Sequence, residues 1–443
     1  MSADDGFKPI LLALPSLAPA LALEVLPRGL TLHRLFVQAD GRTHDVLVGP
    51  EDPSDHAKMP YTNSVIGPYT NRIPTGAHTL TSSRHPTITS VITPASNSAE
   101  ANQNVCLHSG PGSDPWDKRI WEPLDPSHSA LFTPAEKNTI ASLPAAQIFS
   151  ITSKDGQGGF PGSVRSEVLV GLLSAPPPPK TDVDQLTLGS VILVYRAKLV
   201  EGQNVITPIN LTQHWGFNLE ASLRPDGEPR SVRPEPDVKG HLLKIKSDAT
   251  IALDKNYNSA GSLAPAKGTY HDHSTGKLIG DGWPDVDTGK GVGYDEFYAF
   301  SAPLVPPQVI VPASQLTDDV DLLKAVVESG TTTTQTDEPV VELSSDKSGL
   351  KLSFFTNQSG VQFYTANSYD RSNARKKIHG GTGKFGTGEG YGVGGAAFLE
   401  FHEPLAAWLN PDTVRNGNDT LLGPGELYNN WVRLDVSYKR PDA

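Results

Sequence analysis

Two short stretches of alternating character carry the residues best suited to acid and base chemistry. Read as a strand, Ile209 to Leu219 puts Ile209, Leu211, Trp215, Phe217 and Leu219 on one face and Asn210, Thr212, His214 and Asn218 on the other, because successive side chains of a strand point to opposite sides. His214 thus stands in a polar row, where an imidazole keeps a pKa near neutrality and can serve as a general acid. A structural histidine bonding its neighbours fits the same segment taken in isolation. In Ala397 to Glu403, Phe398, Glu400 and His402 share one face and Ala397, Leu399 and Phe401 the other. A carboxylate buried there without a partner costs on the order of several kcal/mol. Glu400 therefore calls for a partner, a cleft or a function, the alternative being a solvated strand face.

Three further places supply polar groups. Asn71 and Arg72 close Gly67-Pro68-Tyr69-Thr70-Asn71-Arg72-Ile73, and His108 ends Asn104-Val105-Cys106-Leu107-His108 just before Ser109-Gly110. An arginine can fork toward two hydroxyl groups of one ligand, and a second imidazole can hold a neighbouring oxygen. Asp295, in Gly293-Tyr294-Asp295-Glu296-Phe297, can accept from vicinal hydroxyls or simply form a turn. His271-Asp272-His273 offers two imidazoles two residues apart without further ligands, which reads as a polar loop rather than a metal centre. The glycine-dense Gly380 to Gly395 follows the basic Arg371 to Lys377, but Gly383-Lys384 is followed by Phe385 rather than Ser or Thr. It reads as a flexible loop over a cleft, not a phosphate-binding loop.

The elements that must hold these groups are mostly strands. Val432, Leu434, Val436 and Tyr438 alternate with Arg433, Asp435, Ser437 and Lys439, and similar patterns cover Val164 to Leu173, Ser190 to Val200, Leu350 to Thr356 and Gly360 to Thr365. Helical spacing is confined to Leu316 to Ser329, with Leu322, Leu323, Val326 and Val327 as its stripe. These patterns predict an all-β, antiparallel sandwich. Asp125 to Lys137, Ala175 to Asp184 and Pro225 to Pro236 read as long loop insertions. No repeat or sharp linker divides the chain, so the expectation is one domain over residues 1–443, with its core at about 23–440.

Composition narrows the partners. With 443 residues, 37% of them hydrophobic, Gly 41 and Pro 38, the chain can bury a sizeable core and makes many turns. A net charge of -12 and no long basic run argue against nucleic acid and anionic membrane as partners. The only cysteine, Cys106, cannot close an intramolecular disulfide, which fits a reducing, cytoplasmic setting. Ile10 to Leu23 is apolar enough for a signal segment, but it contains Pro15 and Pro19 and follows Asp4 and Asp5, so a buried first strand is expected instead. Asn210-Leu211-Thr212, Asn357-Gln358-Ser359 and Asn418-Asp419-Thr420 match the glycosylation pattern, yet the first lies in the strand expected to carry His214.

Taken together, these motifs resemble the galactose mutarotase (aldose 1-epimerase) family. The resemblance runs from about Leu23 to Tyr438 through Gly49-Pro50-Glu51-Asp52-Pro53, Asn71-Arg72-Ile73, Leu107-His108 with Trp116-Asp117-Lys118-Arg119-Ile120-Trp121, and Asn210-Leu211-Thr212-Gln213-His214. It continues through Tyr294-Asp295, Val361-Gln362-Phe363-Tyr364-Thr365, Phe398-Leu399-Glu400, Pro404 to Pro411, and Pro424-Gly425-Glu426-Leu427-Tyr428. No single motif is specific, but their common order is. The resemblance implies a large antiparallel β-sandwich that interconverts the α and β anomers of a sugar by opening and reclosing its ring. By the same resemblance Glu400 is the base at the anomeric hydroxyl, His214 the acid at the ring oxygen and His108 its assistant. Arg72, Asp295 and, more weakly, Asn71 bind hydroxyls of the monosaccharide, and neither a metal nor an organic cofactor is implied.

Four residues at three places depart from the family pattern. Pro68 stands where a basic residue is usual, Ser109 where a second glycine is, and Trp215-Gly216 where Ser-Tyr is. They leave the catalytic trio intact and bear on which sugar fits, since pocket shape sets specificity. The expected activity is that of a mutarotase on a free aldohexose such as galactose or glucose. The alternatives are a non-catalytic sugar-binding protein of the same fold, and an epimerase of hexose 6-phosphate that would draw on Arg371, Arg375, Lys376 and Lys377. Monomer and homodimer are equally compatible with the sequence.

Overall fold

The computed structural model describes residues 4–97, 104–112, 114–176, 185–223, 235–285, 292–301, 309–328 and 338–440. The long alternating runs form two antiparallel sheets. The larger, of ten strands, is centred on Val164–Leu173, Gln185–Leu199, Glu426–Lys439 and Leu350–Thr356. The smaller, of six, runs in space Trp215–Phe217, Ala397–His402, Gly360–Tyr364, Asp295–Phe300, Ser247–Leu253, Ser259–Pro265.

Their facing sides make the main core. Val168, Val191, Leu193, Leu352 and Leu434 of the large sheet and Trp215, Phe217, Leu399, Phe401 and Phe363 of the small one are buried in one cluster. Phe354 bridges the layers, its ring centroid 5.8 Å from Trp215, 5.6 Å from Phe217 and 5.1 Å from Phe401. Such inward alternation is what a two-sheet core demands. The large sheet is also covered on its outer side, where Leu169, Ile192 and Val194 meet Phe132, Ile140, Leu323 and Val326. Val164–Leu173 is accordingly buried almost throughout, as strands packed on both faces are.

Several expectations change in the structure. Ile10 to Leu23 is not one strand but the start of a hairpin, Ile10–Ala13 paired with Leu21–Leu26. Pro15 and Pro19 fall in the connection, where no ladder N–H is required. The helix expected over Leu316 to Ser329 is limited to Lys324–Glu328, with Leu323 and Val326 buried; Ser329 lies outside the described residues. Asp321 Oδ1 accepts from the N–H of Leu323 at 2.9 Å and so ends the irregular stretch only there. The segment read as a loop from Asp125 to Lys137 contains the start of a helix, Pro134–Ser142. Its capping box is complete, with the N–H of Glu136 donating to Thr133 Oγ1 and that of Thr133 to Glu136 Oε2. Of the other two insertions, residues 177–184 and 225–234 lie outside the described residues.

Among the described residues no helix is long and apolar enough to cross a membrane. Asn210 and Asn418 are buried.

Candidate active site

The face of the six-stranded sheet turned away from the core carries the site. Strand register lines its residues up in rows. Gly216, Phe398, Tyr364 and Asp295 are successive cross-strand partners, and Gln362 is the partner of Glu400 in the next row. The alternation of Ala397–His402 thus does what its sequence pattern requires, sending Ala397, Leu399 and Phe401 into the core and Phe398, Glu400 and His402 to the outer face.

His214 enters from the neighbouring segment, its backbone N–H bonded to Ser64 O and its carbonyl to the N–H of Asn63. Its Nε2 lies 3.2 Å from Glu400 Oε1. The other two polar atoms, His214 Nδ1 and Glu400 Oε2, are buried and meet no described protein group. Burial works in opposite directions on the two, because it penalises charge: it drives the His214 imidazole down to about 4 and holds the Glu400 carboxyl well above its ordinary value, the nearby Asp295 adding to the rise.

His108 and Asn71 approach from two short paired strands, Arg72–Pro74 and Val105–Leu107. Both residues adopt left-handed backbone, φ 49° and 63°, and this conformation turns them toward each other. The N–H of His108 donates to Asn71 O at 3.0 Å, and the N–H of Asn71 donates to His108 Nδ1 at 3.1 Å. A ring nitrogen that accepts carries no proton, so the neutral imidazole presents Nε2–H as a donor. Burial, with His214 and Arg72 nearby, holds this ring neutral. Strain of this kind gathers at functional sites. Ser109, also left-handed at φ 69°, is held by two 2.8 Å bonds of its hydroxyl to the backbone of Tyr69, which accounts for a serine where glycine is usual.

Asn71, Gln362, Asp295 and Arg72 close a ring of hydrogen bonds. Asn71 Nδ2 donates to Gln362 Oε1 (3.0 Å), Gln362 Nε2 to Asp295 Oδ1 (2.6 Å), Arg72 NH2 to Asp295 Oδ2 (3.0 Å) and Arg72 NH1 to Asn71 Oδ1 (3.3 Å). The orientation of both amides follows from chemistry, since guanidinium can only donate and an ionised carboxylate can only accept. His402 stands behind the ring. Its Nδ1 donates to Glu403 O at 2.6 Å, leaving Nε2 to face the Asn71 amide at 3.5 Å.

All six residues singled out from the sequence therefore meet on one face: His108, His214 and Glu400 in one cluster, Asn71, Arg72 and Asp295 in the adjoining ring. The Asn71 side chain, like those of Arg72 and Asp295, is hydrogen-bonded within the protein. Gln362 and Tyr61 were not among the sequence candidates. Gln362 had a signal, a buried amide between Val361 and Phe363. Tyr61, whose ring lies 4.7 Å from that of His108, sits in a turn without periodicity and had none.

Ligand atoms of His108, His214 and Glu400 lie within 4.8 Å of one another, close enough to share a divalent cation. The donor set does not fit one. A ligating histidine donates its other N–H to an acceptor, whereas His108 accepts there and keeps its proton on Nε2. His271 and His273 form no such set among the described residues; His271 Nδ1 meets Tyr298 OH at 2.9 Å, and His273 packs on Tyr294 and Phe363. Two residues of the basic stretch are held in ion pairs. Arg371 forks onto Glu235, and Lys376 is fully buried against Asp45. The Gly380 to Gly395 segment is tied back by N–H bonds of Gly386, Gly390 and Gly394 to Ser372, Arg371 and Thr365.

A family model described as aldose 1-epimerase matches residues 185–434, more than half of the chain. Galactose mutarotase of Bos taurus is 25% identical over 423 residues, covering 94% of this chain and 92% of that protein. Aldose 1-epimerase of Escherichia coli (strain K12) is 28% identical over 268 residues, 60% of each. Among solved structures, an aldose epimerase homologue from C. elegans superposes with a TM-score of 0.64 at 19% identity, covering 98% of this chain and 99% of the other. Galactose 1-epimerase from Lactobacillus acidophilus NCFM gives 0.60 at 14% identity, with the same coverage.

Proposed function

This chain belongs to the aldose 1-epimerase family and is an isomerase, and from that premise we propose that it equilibrates the anomers of a free aldohexose such as galactose or glucose, with Glu400 as base and His214 as acid. The observation that carries this is the 3.2 Å contact between His214 Nε2 and Glu400 Oε1 on a buried sheet face.

Ring opening needs one group to take a proton and another to give one. Glu400 takes the proton of the anomeric hydroxyl, and the electrons of that O–H bond form the C1 carbonyl. The C1–O5 bond breaks toward O5, which takes the proton of His214. Nε2–H of His108 donates a hydrogen bond to the same oxygen as charge develops on it. Rotation about C1–C2 in the open aldehyde and reversal of these steps give the other anomer.

Glu400 and His214 hold one proton between them throughout, as an ion pair before opening and as a neutral pair with the aldehyde. Burial favours the neutral pair, and Arg72 the ionised carboxylate. Burial outweighs Arg72, so the neutral pair is the resting form and the ion pair the form from which the ring opens.

Arg72 and Asp295 hold the sugar hydroxyls, with Asn71 and Gln362 fixing their direction. Arg371 and Lys376 are already paired, which favours an unphosphorylated sugar.

Polarimetry of freshly dissolved α-D-glucose and α-D-galactose tests the proposal. Equilibration accelerated by the protein and slowed roughly 100-fold or more by Glu400→Gln and by His214→Asn is expected. Sugar binding with no acceleration would replace it by a binding role.

A further inference from the structure

The second nitrogen of an acid/base histidine is ordinarily held by a carbonyl or carboxylate, which fixes the ring angle. His214 lacks such support from another residue: Nδ1 is buried and makes no hydrogen bond to any other described residue, its own backbone favouring the charged ring. Three rings surround it instead. Phe398 lies 4.9 Å from the imidazole at 59°, His108 5.5 Å at 86°, and Tyr61 6.3 Å at 38°.

Phe398 has its place fixed by strand pairing. It is the cross-strand partner of Gly216, two residues beyond His214, and only 1% of its surface is exposed. A Cβ at position 216 would stand 2.6 Å from Cε1 and 2.7 Å from Cζ of the Phe398 ring, closer than carbon atoms approach. The ring therefore occupies the volume that a side chain at 216 would take, and from there it reaches His214. Its outward neighbours are Val48, Ala366, Tyr391 and Ala396, so it is wedged from both sides.

We infer that Phe398, seated over Gly216, is a positioning residue for the proton donor: its ring sets the angle of the His214 imidazole and shields Nδ1 from water. The inference rests on His214 being the acid. The described titratable groups around that imidazole are Glu400 and His402 from the strand of Phe398, His108 and Tyr61 from the turns above, and Asp295 from two strands away. None of them supplies what the Phe398 ring does, an apolar wall 4.9 Å from the imidazole. With a smaller side chain the imidazole can turn, and water reaching Nδ1 relieves the burial that lowers its pKa.

The test is polarimetry across pH with Phe398→Leu, Phe398→Tyr, Gly216→Ala, the double variant G216A/F398L, and His214→Asn. Phe398→Leu should lower kcat roughly tenfold to a hundredfold with little change in KM, as expected for a misplaced catalytic group, and move the acid limb of the profile toward the ordinary imidazole range. Phe398→Tyr, which keeps the ring, should retain activity. Gly216→Ala should lower kcat by displacing the ring, yet add nothing further in the Phe398→Leu background, because the two act on one contact. Wild-type kcat and pH profile in Phe398→Leu, or losses from Phe398→Leu and Gly216→Ala that simply multiply, would overturn the inference. If His214→Asn abolishes activity in the same experiment, the acid assignment survives that outcome; if His214→Asn retains activity, the acid assignment itself fails.

Discussion

Lys376 Nζ lies 2.8 Å from Asp45 Oδ2, and neither side chain has surface open to solvent. The remaining ammonium protons go to His33 O at 2.6 Å and Leu47 O at 2.8 Å, so three donors find three acceptors. His379 bridges Asp45 O and Tyr391 OH beside them. Through this knot Lys376 and His379, just before the glycine-dense segment, are fastened to the paired strands Thr31–Ala39 and Arg42–Asp45. Lys376→Met leaves the Asp45 carboxylate buried without its main partner and should lower the unfolding free energy by about 3–5 kcal/mol. Replacing both partners by apolar residues should cost clearly less. Urea unfolding of the two variants checks this, and equal losses would count against it.

The pH dependence of kcat/KM follows from the shared proton of Glu400 and His214. Whichever member of the pair holds the first proton, a second one creates a buried net positive charge, and burial has already lowered the imidazole to about 4, so the acid limb of the pair should lie well below the ordinary imidazole value of about 6.5. Loss of the single proton is opposed by burial of Glu400, which raises its carboxyl, so the alkaline limb should lie above the carboxylate range. Rates measured from pH 4 to 9 should show a plateau through neutrality. An inflection near 6.5 would argue against a buried pair.

The hydrogen-bonded ring around Asp295 predicts a different kinetic signature. Arg72→Lys keeps the charge but cannot serve Asp295 and Asn71 at once. Gln362→Leu removes the donor to Asp295 Oδ1 and the acceptor of Asn71. Each loses hydrogen bonds of about 1.5–3 kcal/mol where a charged group is involved, so KM should rise roughly tenfold to a hundredfold. Progress curves at several sugar concentrations separate this from a fall in kcat.

The tautomer of His108 bears on metals. With its proton on Nε2, the cluster of His108, His214 and Glu400 is built to donate and accept protons. Prolonged treatment with a strong chelator should leave the rate unchanged, and a loss restored by a divalent ion would contradict the hydrogen-bond assignment.

Much of this site was legible in the sequence because a strand imposes a period of two. That period sends Glu400 outward and Leu399 to the core. Ile209 to Leu219 is not the single strand expected, since His214 lies between Thr212–Gln213 and Trp215–Phe217, which pair in different sheets, yet its apolar residues still reach the core. The strands Val164–Leu173 and Leu350–Thr356 were readable for the same reason. The helix Pro134–Ser142 was not, because only Ile140 among its apolar residues is buried and its start is marked by a cap rather than by periodicity. Nor does any local pattern say that Arg72 bonds Asp295 across 223 residues, that Asn71 reaches Gln362 across 291, or that Lys376 is buried on Asp45 instead of facing a phosphate. The local sequence determined which residues face outward; pairing between distant strands, and the left-handed turns at Asn71 and His108, decided which of them meet, because those contacts depend on register and burial that exist only once the two sheets have packed.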